Sequence, residues 1–324
     1  MTTTTERPAA LTGRQPADYR SHPLHSTGRT FPETNCYVDI IIELLHARGD
    51  EPLAAMGATM RTDFEGDQWT FLKPAPEDLE LLYGMDVHEM QPYAFLPGQI
   101  AGQIARARTV IVELDAWYLP DTVSTSYRSE HVKTSVAVEA VDPSAQRLRY
   151  FHNRGLHELE GEDFRGVFRL GRPFSADVLP PYTELVRFDA GPRLSGVQLR
   201  SAARMRLCHH LDRRPHTNPF ARFRTRLEQD LPRLLEGDTA EYHAYAFATV
   251  RMVGAAFEVG ASHVDWVLGE EAAPARQALL RIVEGSKILL LKLARRRAFE
   301  PQAGLVRMED AWEEAVSTLD DILG

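Results

Sequence analysis

Hydrophobic and polar positions follow two different periods along this chain, and the change from one to the other falls near residue 190. Val132, Thr134, Val136, Val138 and Val141 form a β-branched run, Asp142-Pro143-Ser144 supplies turn chemistry, and Leu148 to Phe151 reads as a returning strand. That stretch is expected to be a β-hairpin. Ahead of it, TVIVELDAWYLP reads as a buried strand ending in a proline-bounded loop, and ATMRTDFEGDQWTFLK as two short strands around a turn at Gly66. GRPFSADVLPPYTELVRFD reads as a further strand, placed at a sheet edge by its prolines. Helical spacing marks PETNCYVDIIIELLHARG, where Val38, Ile41, Ile42 and Leu45 share a face, Thr34 or Asn35 can cap the start, and Gly49 ends the run. PAPEDLELLYG and LPGQIAGQIARAR are two further short helices. From Ser195 onward five amphipathic segments follow one another, which predicts a helical bundle. The fold class is therefore α+β. Residues 1–28 read as a flexible arm with His22 and His25 in solvent, residues 29–190 as a sheet domain opened by a helix, and residues 191–324 as a helical domain.

Composition narrows the range of functions. A chain of 324 residues that is 44% hydrophobic can bury a sizeable core. No apolar run approaches the ~20 residues that span a bilayer, and the first residues lack the pattern of a secretory signal, so a cytoplasmic protein with no membrane partner is expected. The only cysteines are Cys36 and Cys208, which argues against a disulfide framework and suits a working thiol. There is no glycine-rich phosphate loop and no zinc-like cysteine spacing, so no cofactor and no metal is expected. His209-His210 reads as surface polarity, because neighbouring residues on a helix diverge. The net charge of −9 disfavours a general nucleic-acid surface, yet arginines cluster locally in the helical part. Arg222, Arg224 and Arg226 are candidates for docking an acidic carrier protein, its phosphopantetheine phosphate or the acceptor end of a tRNA; the alternative is intrachain ion pairing.

The candidate chemistry centres on Cys36 in the first turn of its helix, where free backbone N–H groups and the helix dipole favour a thiolate. His131 opens one strand of the hairpin and Asn153 closes the next, so the two side chains are expected to meet, with His131 as base and Asn153 as its orienter. Asp142 is a second candidate for that orienting role. Asp115, at the end of its strand, can hold an ammonium group, orient His131, or pair with Lys133. Asn35 beside the thiol, Gln68 and Asp63 at the Gly66 turn are candidates for oxyanion or substrate binding. The structural alternative for Cys36 is a buried, inert thiol.

The run VIVELDAWYLP, then YRSEH, then a β-branched strand ending in an Asp turn, resembles the N-terminal domain of the butirosin acyltransferase type, a papain-like thiol acyltransferase. TNCYVDIIIELLH, DFEGDQWTF, LPDT and YFHN resemble more closely an uncharacterised bacterial family found beside carrier-protein aminoacylation genes. The first resemblance implies a papain-like sheet domain with a cysteine nucleophile, a histidine base and an acidic or amide orienter, matched here by Cys36, His131 and Asn153. The butirosin type carries Asp at the third position. The expected function is a cysteine-dependent acyltransferase moving an acyl, or aminoacyl, group from a carrier-protein thioester or an aminoacyl-tRNA to a small-molecule amine or hydroxyl. A cysteine amidase or peptidase with the same triad, and a non-catalytic binding module, are the alternatives.

Overall fold

The computed structural model describes residues 10–172 and 178–324. In chain order these residues form α1 (Cys36–Ala47), a 3₁₀ stretch (Pro52–Arg61), β1 (Phe64–Glu65), β2 (Gln68–Trp69), α2 (Pro76–Tyr83), β3 (Asp86–Met90), α3 (Leu96–Ile104), β4 (Thr109–Asp115), β5 (Lys133–Asp142), β6 (Arg147–His152), β7 (Gly155–Glu160), α4 (Gly161–Val167), β8 (Thr183–Arg187), α5 (Gly196–Leu211), α6 (Pro219–Glu236), α7 (Thr239–Tyr245), a π-helical segment (Ala246–Arg251), α8 (Met252–Leu268), α9 (Ala273–Ala294) and α10 (Gln302–Leu323). No described helix is long and apolar enough to cross a membrane. The elements group into two compact units, neither of them continuous in sequence. One holds the described residues up to Pro23 with Cys36–Glu51 and Leu79–Arg193; the other holds Leu24–Asn35, Pro52–Asp78 and Leu194–Gly324.

The first unit is built on a six-stranded antiparallel sheet in the order β3-β8-β4-β5-β6-β7. The hairpin read from the sequence is β5–β6, with Val138 opposite Tyr150 and Val141 opposite Leu148. On one face Val110, Val112, Val136, Val138, Leu148 and Tyr150 pack with Ile100 and Ile104 of α3 and with Phe164 of α4. On the other, α1 lies over β5 and β6. Tyr19 ties that face together: its ring meets Phe151 edge-on at 5.5 Å, and its hydroxyl donates to Glu43 of α1.

Three expectations need correction. The strand with the preceding prolines is not at an edge, because β8 pairs with both β3 and β4. Pro180 and Pro181 end before its first paired residue, Thr183, so the ladder keeps its donors on both sides. The described part of the N-terminal arm is anchored to the sheet. A β-bulge between Val138 and Ala140 makes Glu139 the extra residue, and its fully buried carboxylate accepts the backbone N–H groups of Thr12 and Gly13 at 2.9 and 2.7 Å. His22 and His25, expected in solvent, are 9% and 5% exposed.

The second unit contains the predicted helices α5 to α10, with the 3₁₀ stretch packed against α5 and α8. His210, read as surface polarity, is fully buried and donates from Nε2 to Asp78 at 2.6 Å, while Arg206 pairs with the same carboxylate. Burial pushes the Asp78 carboxyl up, but hydrogen bonds and charge from His210 and Arg206 outweigh it and hold the group below its ordinary range. His263 lies on α8 and donates from Nδ1 to the Leu53 carbonyl at 2.6 Å. Gly57 is small for a reason: a Cβ there would come within 3.1 Å of His210 Cδ2 and 3.2 Å of His263 Nε2.

Burial pushes His263 down to about 4 from 6.5. Between those two pH values the unfolded chain holds a proton that the folded chain rejects, so stability falls as the pH falls through that window. About 2 kcal/mol of the loss between pH 7 and pH 5 is expected to come from this one group. Urea unfolding of wild type and His263→Gln at both pH values checks it: the variant should show an acid-side loss smaller by that amount, and equal losses would mean that His263 titrates normally.

Candidate functional site

A cleft of about 1150 Å³ opens in the first unit at the end of the sheet where β4 stops and β5 and β8 begin. Its walls carry Asp115, His131, Glu113 and Lys133 from β4 and the start of β5, with Tyr118 and Tyr182 beside them. Gly166 of α4 has no side chain because Tyr118 occupies the space: a Cβ there would lie 2.1 Å from the ring.

His131 Nδ1 donates to Asp115 Oδ2 at 2.6 Å. The β4–β5 register explains the pairing, since Asp115 faces Lys133 and two further residues bring Trp117 opposite His131. The indole and imidazole stack at 4.6 Å with 12° between their planes. The other Asp115 oxygen accepts the Trp117 backbone N–H at 3.1 Å and opens a 3₁₀ turn over Ala116–Tyr118. The carboxylate is thus fixed from both sides, the ring orientation of His131 is set by two contacts, and its side chain remains 67% exposed with Nε2 available. Lys133 pairs with Glu113 at 2.8 Å and leaves Asp115 to the histidine.

Cys36 is the first residue of α1, half-buried, on the helix that packs against β5 and β6, and it is not among the residues that line the cleft. The following residue, Tyr37, hydrogen-bonds Glu184 of β8, which also accepts from the Tyr182 hydroxyl at 2.9 Å. Burial and then Glu184 raise both phenols, Tyr182 to about 12. Among the described residues no hydrogen bond joins Cys36 to His131. Asn153 sits in the β6–β7 turn with φ +48°, a left-handed conformation that asparagine tolerates. Continuing the β5–β6 register puts it opposite Ser135, four residues from His131. Asp142 closes the far end of the ten-residue β5, where it accepts the backbone N–H groups of Ser144 and Ala145 at 2.9 Å. The partner of His131 is Asp115.

The remaining sequence candidates belong to the second unit. Asp63 pairs with Arg222, which also donates to the Phe64 carbonyl at 2.6 Å. Arg224 pairs with Glu309, and Arg226 with Asp230 at 2.8 Å. Asn35 donates to the Leu72 carbonyl at 3.0 Å, and the exposed Gln68 amide to Asp67 at 3.3 Å. All three arginines carry carboxylate partners within their own unit.

His152 is a functional candidate that the hydrophobic pattern alone does not single out. It lies on β6, 2% exposed, and donates from Nδ1 to Asp121 at 2.5 Å, while its Nε2 shares a hydrogen bond with Thr134 at 2.8 Å. Tyr150 donates to the second Asp121 oxygen at 2.5 Å. Burial raises the Asp121 carboxyl, and the hydrogen bond and charge of His152, then His157 and Tyr150, overcome that and hold it below its usual range. LPDT and YFHN therefore meet in space through Asp121, Tyr150 and His152. The next residue of LPDT, Thr122, donates to the Ala116 and Leu119 carbonyls at 3.0 and 2.9 Å, so the motif also braces the turn that carries Trp117.

These features define an α+β protein whose antiparallel sheet presents an aspartate-held histidine at a cleft and whose C-terminal region is helical. The chain belongs to the DUF1839 family: the DUF1839 N-terminal domain matches residues 20–188 and the DUF1839 C-terminal domain residues 196–321. Among curated proteins, none matches it.

Proposed function

We propose that the protein is a papain-like thiol acyltransferase of the butirosin type, with Cys36 as nucleophile, His131 as base and Asp115 as the group that orients the imidazole. His131 Nε2 takes the Cys36 proton, the thiolate attacks the carbonyl of an acyl thioester or ester, and the donor's leaving group departs with a proton from His131. An amine or hydroxyl acceptor then gives its proton to His131 and attacks the Cys36 thioester, which frees the thiol. The carrying observation is the 2.6 Å contact between His131 and Asp115, with the ring stacked on Trp117 and the second nitrogen open at the cleft. A carboxylate on Nδ1 fixes the tautomer that leaves Nε2 as the acceptor.

The internal pairing of Arg222, Arg224 and Arg226 favours a donor recognised at the cleft through its acyl arm over one docked on those helices. Incubation with a series of acyl thioesters of N-acetylcysteamine, followed by peptide mass spectrometry, tests the reading. One acyl group should appear on Cys36 and vanish in Cys36→Ala. Acylation of Cys208 instead, or of neither cysteine, would remove the reading.

A further inference from the structure

Among the described residues the charges that line the cleft do not balance. Glu113 is taken by Lys133 and Asp115 by His131, whereas among the described residues neither Arg169 nor Arg172, both lining the cleft, has a carboxylate partner. Arg169 is held in an unfavourable way. Its φ of +53° is left-handed, and it sits just past α4, where Leu170 N–H returns to the Arg165 carbonyl at 2.8 Å. Glycine is the residue that suits such a helix end, and a long side chain there costs conformational energy. The backbone therefore gives no reason for an arginine, and the side chain must supply one. Its Nε is buried with no hydrogen-bond partner among the described residues. The same lining includes two exposed aromatic rings, Tyr93 at 89% and Phe95 at 52%, where solvent exposure of large apolar surface is unfavourable.

We propose that this cleft binds a small organic anion, its carboxylate or phosphate held by Arg169 and Arg172 and its apolar body lying against Tyr93 and Phe95. The planar fork of a guanidinium matches the two oxygens of either group. The inference rests on the acyl-transfer reading only in taking the same cleft as the substrate site, and it assigns the substrate class that reading leaves open: an acyl donor or acceptor bearing an anionic group.

Isothermal titration of the full chain with phenylacetate, phenyl phosphate, benzylamine and benzyl alcohol tests it. At least one anion should bind more tightly than the amine and the alcohol, and whichever binds better identifies the carboxylate or the phosphate as the natural group. Arg169→Asn, which keeps a residue tolerant of the left-handed backbone, should weaken that binding at least tenfold, and Arg172→Ala should weaken it too. Anion binding by the wild-type protein with no acylation of Cys36 by any of the thioesters would sink the acyl-transfer reading and spare this one. Anions bound no better than benzyl alcohol, or bound equally by Arg169→Asn with an unchanged thermal midpoint, would overturn the proposal.

Discussion

Asp121→Ala is expected to destabilise the sheet unit by about 2–5 kcal/mol, the cost of leaving two buried donors without their acceptor. The aspartate and His152 side chains are 7% and 2% exposed, and Asp121 satisfies His152 Nδ1 and the Tyr150 hydroxyl together. Alanine would leave both donors without an acceptor beside the apolar layer that includes Val136 and Leu148. It would also loosen the LPDT turn, whose Thr122 braces the segment that carries Trp117. Thr134→Val, which removes a single neutral contact to His152, should cost only about 1 kcal/mol. Urea unfolding followed by tyrosine and tryptophan fluorescence measures the difference. A change below about 1 kcal/mol for Asp121→Ala would show that the pair is solvated and carries little of the unit's stability.

That network shows where the sequence is legible and where it is not. The β5–β6 hairpin, α1 and the helices from α5 onward could be read because their apolar residues recur at one clear period. Strand β3 escaped because Asp86, His88 and Glu89 interrupt any alternation on an edge that is half in solvent. His131 and Asp115 were both visible as candidates, but which carboxylate reaches the imidazole depends on the β4–β5 register, and register is a tertiary property. His152 could have been found: Leu148, Tyr150 and His152 alternate onto the face that Val136 and Val138 also share, so a histidine there had to be buried and in need of a partner. The arginines could be read either way, as a docking patch or as intrachain ion pairs. Asp230 stands four residues after Arg226 on α6 and was legible at that spacing, whereas Glu309 reaches Arg224 from α10, a pairing that only the fold brings about.

His131→Ala is expected to slow alkylation of Cys36 by iodoacetamide at neutral pH by about tenfold or more, because an unassisted thiol is only a few per cent thiolate there. Only the thiolate attacks, so loss of the group that takes the proton should matter most on the acid and neutral side and fade in alkali, where hydroxide does the same work. Asp115→Asn should give a smaller loss, because the ring keeps a hydrogen-bonding partner and its Trp117 stack but loses the carboxylate that selects the tautomer. Cys208, in the last turn of α5, serves as an internal control whose rate should not respond to either change. The decisive measurement is the alkylation rate of each cysteine, read by peptide mass spectrometry from pH 5 to 9, in wild type, His131→Ala and Asp115→Asn. The account predicts that Cys36 reacts faster than Cys208 and slows in the order wild type, Asp115→Asn, His131→Ala. Identical Cys36 rates in all three proteins, or faster labelling of Cys208, would contradict it.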